Sequence, residues 1–145
     1  MRITLDTNVL IRSHCRANGV ARRLLECIER GPHVLVLSQT LLYEVEEVFG
    51  YPRVRRLTGL TGAQVTIYIT HLANLAKLVD IGRPEPFAVH DIDDWMVLRT
   101  AIQGKVDVLC TMDGDLRHPS SDPCVCTTRD YGHERPGTVG SAFGA

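Results

Sequence analysis

Short apolar runs alternate with longer segments of helical character along most of this sequence, and that alternation restricts the fold more than any other feature. The runs that predict strands lie at residues 2–5, 33–37, 78–81, 106–110 and, more briefly, 124–127. The segments between the first four runs predict helices. Strands that alternate with helices form right-handed β-α-β units, which build a parallel sheet with helices on both faces. The expected fold is α/β, with three layers and a central parallel sheet of four to five strands.

Capping residues predict where several helices begin. Thr7 or Asn8 is suited to cap the first helix, and Ser38 is suited to cap the helix after the second strand. Thr61, with Gln64 three residues later, matches the pattern of a capping box. These positions predict helices directly after two of the strands and a long helix before the third strand.

The length allows one domain with a core of its own. A folded monomer of 16.1 kDa exposes about 7,400 Å² and buries roughly 68% of its unfolded surface. Because 44% of the residues are hydrophobic, a wholly disordered chain is excluded. We expect a domain over residues 1–128 and a flexible, Gly-rich tail over 129–145.

The net charge, the cysteines and the length of the apolar stretches limit which partners the protein can bind and where in the cell we expect it. The net charge is −1, so nucleic acid must be bound by a local patch rather than by a basic field over the whole protein. The five cysteines show neither CxxC nor zinc-finger spacing, and we expect reduced, mostly buried thiols. Apolar stretches are far shorter than the roughly 20 residues that span a bilayer, so we expect a cytoplasmic protein that does not contact membranes.

Four acidic residues come just after predicted strands or early in the helices that follow them. They are Asp6, Glu44, Asp94 and Asp113. Each has an ordinary explanation by itself, because acids favour the first turn of a helix and aspartate is common in turns. However, the carboxyl ends of parallel strands share one edge of the sheet, which is where such folds bind ligands. The pattern therefore indicates a cluster of carboxylates at that edge.

The positions of two of these acids indicate that their carboxylates face inward. Asp94 shares a helix face with Leu98 and Ala101, and Glu44 shares one with Leu41. Two carboxylates about 4 Å apart repel each other by roughly 4 kcal/mol at an effective dielectric constant of 20. Either one of them stays protonated or a divalent cation neutralises them. A site with only oxygen ligands favours Mg²⁺ or Mn²⁺.

The ordered motifs at residues 5–10, 42–48, 91–94 and 107–116 resemble those of PIN-domain nucleases. They read LDTNVL, LYEVEEV, DIDD and DVLCTMDGDL, and the resemblance extends over residues 1–127. It is strongest to VapC-like proteins, the toxins of toxin–antitoxin pairs. One departure from the family pattern follows Cys126, where the usual closing strand and helix are missing.

The resemblance implies a metal site and its supporting residues. The family's four metal-binding, catalytic acids match Asp6, Glu44, Asp94 and Asp113. Supporting residues match Asn8, Asp91, Thr111 and Asp115. Asp94 is preferred to Asp91 as a ligand, because Asp91 is suited to cap the helix that it precedes.

The implied activity is metal-dependent hydrolysis of phosphodiester bonds in single-stranded or structured RNA, with Mg²⁺ or Mn²⁺ as cofactor. The resemblance also implies a homodimer and an antitoxin protein as partners. Arg53, Arg99 and Arg117 are candidates for contacts with the RNA backbone. For Arg53 and its neighbours Arg55 and Arg56, a solvated loop after Tyr51-Pro52 is the alternative.

Two other functions remain open at this stage. A PIN-like domain that binds RNA or protein without catalysis fits the same fold. A haloacid-dehalogenase-type phosphatase also has an aspartate after its first strand, but it needs a second aspartate two residues later. That position holds Asn8, and no downstream lysine is well placed.

Overall fold

A computed structural model describes residues 1–15, 19–82, 92–111 and 125–126. These residues form a five-stranded sheet in the order β3-β2-β1-β4-β5. The strands are β1 (Arg2–Leu5), β2 (Val34–Ser38), β3 (Lys77–Val79), β4 (Val108–Cys110) and β5 (Val125–Cys126). β1 to β4 pair in parallel. The predicted α/β fold with a central parallel sheet is confirmed.

Six helices surround the sheet within the described ranges. They are α1 (Thr7–Cys15), α2 (Val20–Arg30), α3 (Gln39–Phe49), α4 (Pro52–Thr58), α5 (Gly62–Leu75) and α6 (Ile92–Gln103). None of the described helices is long and apolar enough to cross a membrane.

Alternation along the central strands divides the interior into two layers. Ile3 and Leu5 point into the main core, together with side chains of α1, α2, α3 and α5. Val36 and Leu109 point to the opposite face, where α6 covers them. Since successive residues of a strand face opposite sides, central strands buried on both faces must be nearly continuous in apolar residues. This requirement explains why β2 and β4 consist mostly of valine and leucine.

The predicted caps of α3 and α5 are confirmed. The Ser38 hydroxyl accepts a hydrogen bond from the Leu41 amide at 3.1 Å. At α5, the Gln64 amide donates to the Thr61 hydroxyl, and the Thr61 amide donates to the Gln64 side chain. Each cap satisfies amides that have no partner inside the helix.

The predicted cap of the first helix is wrong. Helix α1 already includes Thr7 and Asn8, and the Asp6 carbonyl accepts the amide hydrogen of Leu10. Asp6 therefore occupies the capping position. The reason is that the Asp6 amide still donates to Cys110 in the sheet, so strand and helix meet at one residue without a linker.

Arg53 to Arg56 lie in helix α4, so the alternative that placed them in a solvated loop is wrong. Helix α3 ends at Phe49, and Pro52 stands at the first position of α4, where an N–H group would have no partner inside the helix and proline is therefore tolerated. Gly59 ends α4 in the left-handed conformation, with φ of 64°. The proline thus starts a helix rather than a loop.

Strand β5 pairs antiparallel with β4, which the expectation of a wholly parallel sheet did not include. An antiparallel return needs no helical crossover. Antiparallel edge strands are common on otherwise parallel sheets. The predicted tail over 129–145 lies outside the described residues.

The two described free cysteines differ in environment. Cys110 is buried, as expected of most of the thiols, whereas Cys27 is exposed. The other three lie where side chains are not described.

Gly104 is predicted to be needed for the contact between the end of α6 and the sheet. A Cβ atom at this position would collide with Val36 Cγ1 and lie 3.0 Å from the Thr100 carbonyl oxygen. We expect Gly104→Ala to lower the free energy of unfolding by about 1–3 kcal/mol, as overpacked cores do. Urea denaturation measures the change.

Gly62→Ala is the matched control, because a Cβ there meets nothing within 4 Å. It should leave stability unchanged or raise it by about 0.4–1 kcal/mol, since alanine restricts the unfolded chain. Equal effects of the two substitutions would contradict the packing role of Gly104.

Candidate active site at the carboxyl ends of the strands

Asp6 is the best-defined acid of the candidate site. It lies between β1 and α1 and is buried, with 9% of its surface exposed. The Thr111 hydroxyl donates a hydrogen bond to Asp6 Oδ2 at 2.7 Å. The Asp6 amide donates to the Cys110 carbonyl at 2.9 Å. The backbone and the carboxylate of Asp6 are therefore both held by the end of β4.

The edge of the sheet next to Asp6 is polar across three neighbouring strands. Leu5 pairs with Cys110 in the register of β1 and β4, so Asp6 and Thr111 follow side by side. Ser38 ends β2 on the other side of β1, and its hydroxyl lies 2.8 Å from the hydroxyl of Thr100 in α6. These three residues, Ser38, Asp6 and Thr111, form a polar row at the carboxyl end of the sheet, on the side that α6 covers.

Glu44 lies on α3, the helix that follows β2. It is half-buried, whereas its neighbours Glu46 and Glu47 are exposed. Leu41 and Val45 on the same helix are buried in the main core. This difference in burial agrees with the prediction that the Glu44 carboxylate faces inward.

Asp94 lies in the first turn of α6, as placed by the backbone. Val97, one turn later, packs with Leu109, and Ala101 packs with Val36. Helix α6 therefore crosses the sheet from β4 toward β2. This path puts the Asp94 position one turn before the contact with β4, the strand that Thr111 follows.

The remaining predicted site residues divide into two groups. Asn8 on α1 and Arg99 on α6 are exposed. Asp91, Asp113, Asp115 and Arg117 lie outside the described residues. The structure thus joins Asp6 with Thr111 directly, and it places Glu44 and Asp94 on helices that follow neighbouring strands.

The chemistry of the donor set suits a hard divalent cation. Every predicted ligand is a carboxylate, and one oxygen of Asp6 is already oriented by a hydroxyl. Within the described ranges, no group of three His, Cys, Asp or Glu side chains is placed to hold a metal ion. A complete set would need Asp94 and Asp113, whose side chains are not described.

A separate cleft of about 420 Å³ lies between α1, α2 and α5 and contains none of the predicted site residues. His14 stacks on Tyr68 with ring centroids 4.3 Å apart, and the Tyr68 hydroxyl lies 2.6 Å from the Ser13 hydroxyl. On its rim, His71 lies 2.7 Å from Glu29. Sequence reasoning missed this cluster, because its members are far apart in the chain and form no motif.

Comparison with known families decides the class of this fold. A family model described as the PIN domain matches residues 2–115. The chain belongs to the PIN-domain family. PIN domains are generally nucleases, so membership indicates a nuclease-type function, with hydrolysis of nucleic acid as the general activity. The match spans the positions of all four predicted acids of this PIN domain. Neither curated proteins nor solved structures give a match.

The stability of this PIN domain should decrease in mild acid because of His14. Burial and the nearby charge of Arg22 hold the pKa of His14 below its usual 6.5. The unfolded chain therefore binds a proton at a higher pH than the folded one. We expect full stability above about pH 6.5 and a decrease as the pH falls through 6.5 toward the folded-state pKa.

The His14→Phe variant should lose this part of the pH dependence, because it keeps a ring against Tyr68 but cannot titrate. His71→Gln, at the exposed rim, should retain the dependence. Urea denaturation at several pH values between 5 and 8 measures both variants. A wild-type slope that persists in His14→Phe would contradict the assignment.

Proposed function

We propose that this PIN domain is a Mg²⁺- or Mn²⁺-dependent endoribonuclease that hydrolyses phosphodiester bonds of single-stranded or structured RNA. The observation that carries the proposal is the burial and the hydrogen bonding of Asp6. It is a buried carboxylate at the carboxyl edge of the sheet, and a threonine hydroxyl orients one of its oxygens. Burying a carboxylate is costly, so its retention at a ligand-binding edge favours a function there.

Asp6, Glu44, Asp94 and Asp113 are proposed to hold the metal. The bound ion would supply Lewis-acid activation of water and of the scissile phosphate. Thr111 keeps the Asp6 carboxylate in place, and the hydroxyls of Ser38 and Thr100 lie buried on the same side of the sheet. Asn8, Asp91 and Asp115 are proposed to support the same site.

Helix α4 is the proposed contact for the RNA backbone. Arg53, Arg55 and Arg56 are all exposed within one short helix. Val54 packs against the main core and fixes that helix. Guanidinium groups suit phosphate oxygens, and this concentration of charge provides the local basic patch that the net charge of −1 requires. Arg99 and Arg117 remain further proposed contacts.

The biological setting proposed is that of a cytoplasmic toxin in a toxin–antitoxin pair, acting as a homodimer that an antitoxin protein inhibits. The support is the resemblance of the ordered acidic motifs to VapC-like proteins. The second function kept from the sequence, a PIN-like module without catalysis, becomes an outcome of the following test.

The first test is cleavage of a mixed RNA pool by the full-length protein with Mn²⁺, with Mg²⁺ or with EDTA. We expect cleavage with a divalent ion and none with EDTA. Asp6→Asn and Glu44→Gln should each reduce the rate by about 100-fold or more, because each removes a proposed ligand of the metal that would activate water and the phosphate. Asparagine also caps helices well, so Asp6→Asn should still fold.

Glu47→Gln is the matched control, since Glu47 is exposed on the same helix as Glu44. It should cleave like the wild type. Mn²⁺ binding without cleavage of any RNA would oppose the nuclease and favour the binding module. Absence of both cleavage and Mn²⁺ binding would overturn the metal site.

The second test concerns α4 and uses the Asp6→Asn background, so that RNA is bound but not cut. Replacing Arg53, Arg55 and Arg56 by glutamine should weaken binding of single-stranded RNA. Because each phosphate contact adds about 0.7 to the slope of log K against log salt, the slope should fall by about 2. Fluorescence anisotropy at several salt concentrations measures it.

Arg23→Gln with Arg30→Gln serves as the control, because both residues are exposed arginines on α2 rather than on α4. Their replacement should leave the salt slope nearly unchanged. If both sets of substitutions lower the slope equally, α4 is not a specific contact.

A further inference from the structure

Four hydroxyl side chains are buried around Asp6 on the side of the sheet that α6 covers. Ser38 is 1% exposed, and Thr4, Thr100 and Thr111 are each 0% exposed. Three of them have hydrogen-bond partners. Thr4 Oγ1 is the only buried side-chain polar atom of the described residues that has none.

The other three hydroxyls donate their hydrogens to groups other than Thr4. Thr100 donates to the Met96 carbonyl at 2.7 Å, so it accepts from Ser38 at 2.8 Å. Ser38 in turn accepts from the Leu41 amide. Thr111 donates its hydrogen to Asp6. The donors of these three side chains are all in use.

Burying the Thr4 hydroxyl without a hydrogen bond costs free energy of folding, so its presence at this position needs an explanation. A buried hydroxyl without a hydrogen bond opposes folding, and the explanation of such a group is often a bound water or ion. Thr4 lies in the middle strand between Val36 of β2 and Leu109 of β4. Valine would fill this apolar row with the same shape and without that cost.

The Thr4 hydroxyl lies on the same face of the sheet as Asp6, the most buried of the described site acids. Thr4 and Asp6 are two residues apart, so the alternation of the strand turns both toward α6. Their Cα atoms are roughly 6.6 Å apart at the rise of a parallel strand. That spacing is suited to one water molecule between the hydroxyl and the carboxylate.

We propose that Thr4 is a positioning residue for Asp6. Its hydroxyl holds a buried water that donates a hydrogen bond to the Asp6 carboxylate when a divalent cation is bound there. This inference rests on the proposed function. Hydrogen bonds to a ligating carboxylate fix its orientation, and Thr111 provides one of them in the structure. Thr4 provides another through the water.

The test compares Thr4→Val with Thr4→Ser in the full-length protein. Isothermal titration calorimetry with MnCl₂ and no RNA measures the affinity for the ion. Urea denaturation without metal measures folding. We expect Thr4→Val to weaken Mn²⁺ binding about 10-fold, as losses around a metal ligand do. Its urea midpoint should equal or exceed that of the wild type, and Thr4→Ser should bind Mn²⁺ within about twofold of the wild type.

Three results would overturn the role of Thr4. Equal Mn²⁺ affinity of Thr4→Val and the wild type would show that the hydroxyl does not serve Asp6. An equal loss in Thr4→Ser and Thr4→Val would assign the effect to packing. A lower urea midpoint of Thr4→Val without metal would show that the hydroxyl stabilises the fold itself.

Asp6→Asn separates this inference from the proposed function. Wild-type binding of Mn²⁺ that Asp6→Asn abolishes supports the metal site, and Thr4→Val then decides the role of Thr4 alone. A wild type that does not bind Mn²⁺ overturns the proposed function, and the role of Thr4 with it.

Discussion

The pairing of β1 with β2 on one side and β4 on the other is the constraint on which the candidate site depends. Because β1 is central, it is paired on both sides, with β2 at Arg2 and Ile3 and with β4 from Ile3 to Leu5. The Asp6 amide extends the ladder to Cys110, and the next carbonyl bond already belongs to α1. Asp6 therefore has no flexible residue on either side. A carboxylate held in this way is oriented before any ligand arrives, which is what precise coordination requires.

On the face of the sheet that α6 covers, the side chains along β2 and β4 change from apolar to polar within two residues. Val36 and Leu109 are buried under α6. Two residues later along the chain, Ser38 and Thr111 carry hydroxyl groups on the same face. This boundary sets where water-excluding packing ends and where polar chemistry can begin. Thr4 is the exception, because a hydroxyl occupies the apolar row. Thr4 is the residue that precedes Asp6 on this face of the sheet, so the exceptional hydroxyl is a neighbour of the acid.

Local signals predicted much of this structure, and features that depend on distant neighbours were missed. Ser38 and Thr61 revealed helix starts because a cap acts over three residues. The position of Asp6 followed from the end of an apolar run. Pro52 misled, because the same ring that stops one helix can begin another. The direction of β5 and the unpaired hydroxyl of Thr4 depend on which strand or side chain lies across the sheet, and no local pattern contains that information.

Helix α3 gives the proposed metal site and the proposed RNA contact a fixed relation. Glu44 precedes Gly50, where α3 ends, by six residues, or about 9 Å along the axis. Leu41, Leu42 and Phe49 are nearly or fully buried, so both ends of α3 are packed against the core. Since α4 follows after only Gly50 and Tyr51, its arginines cannot move far from that helix. Packing therefore sets the spacing between the basic helix and the acid. A strand of RNA bound to α4 would meet the site in a register determined by α3 rather than by a flexible loop.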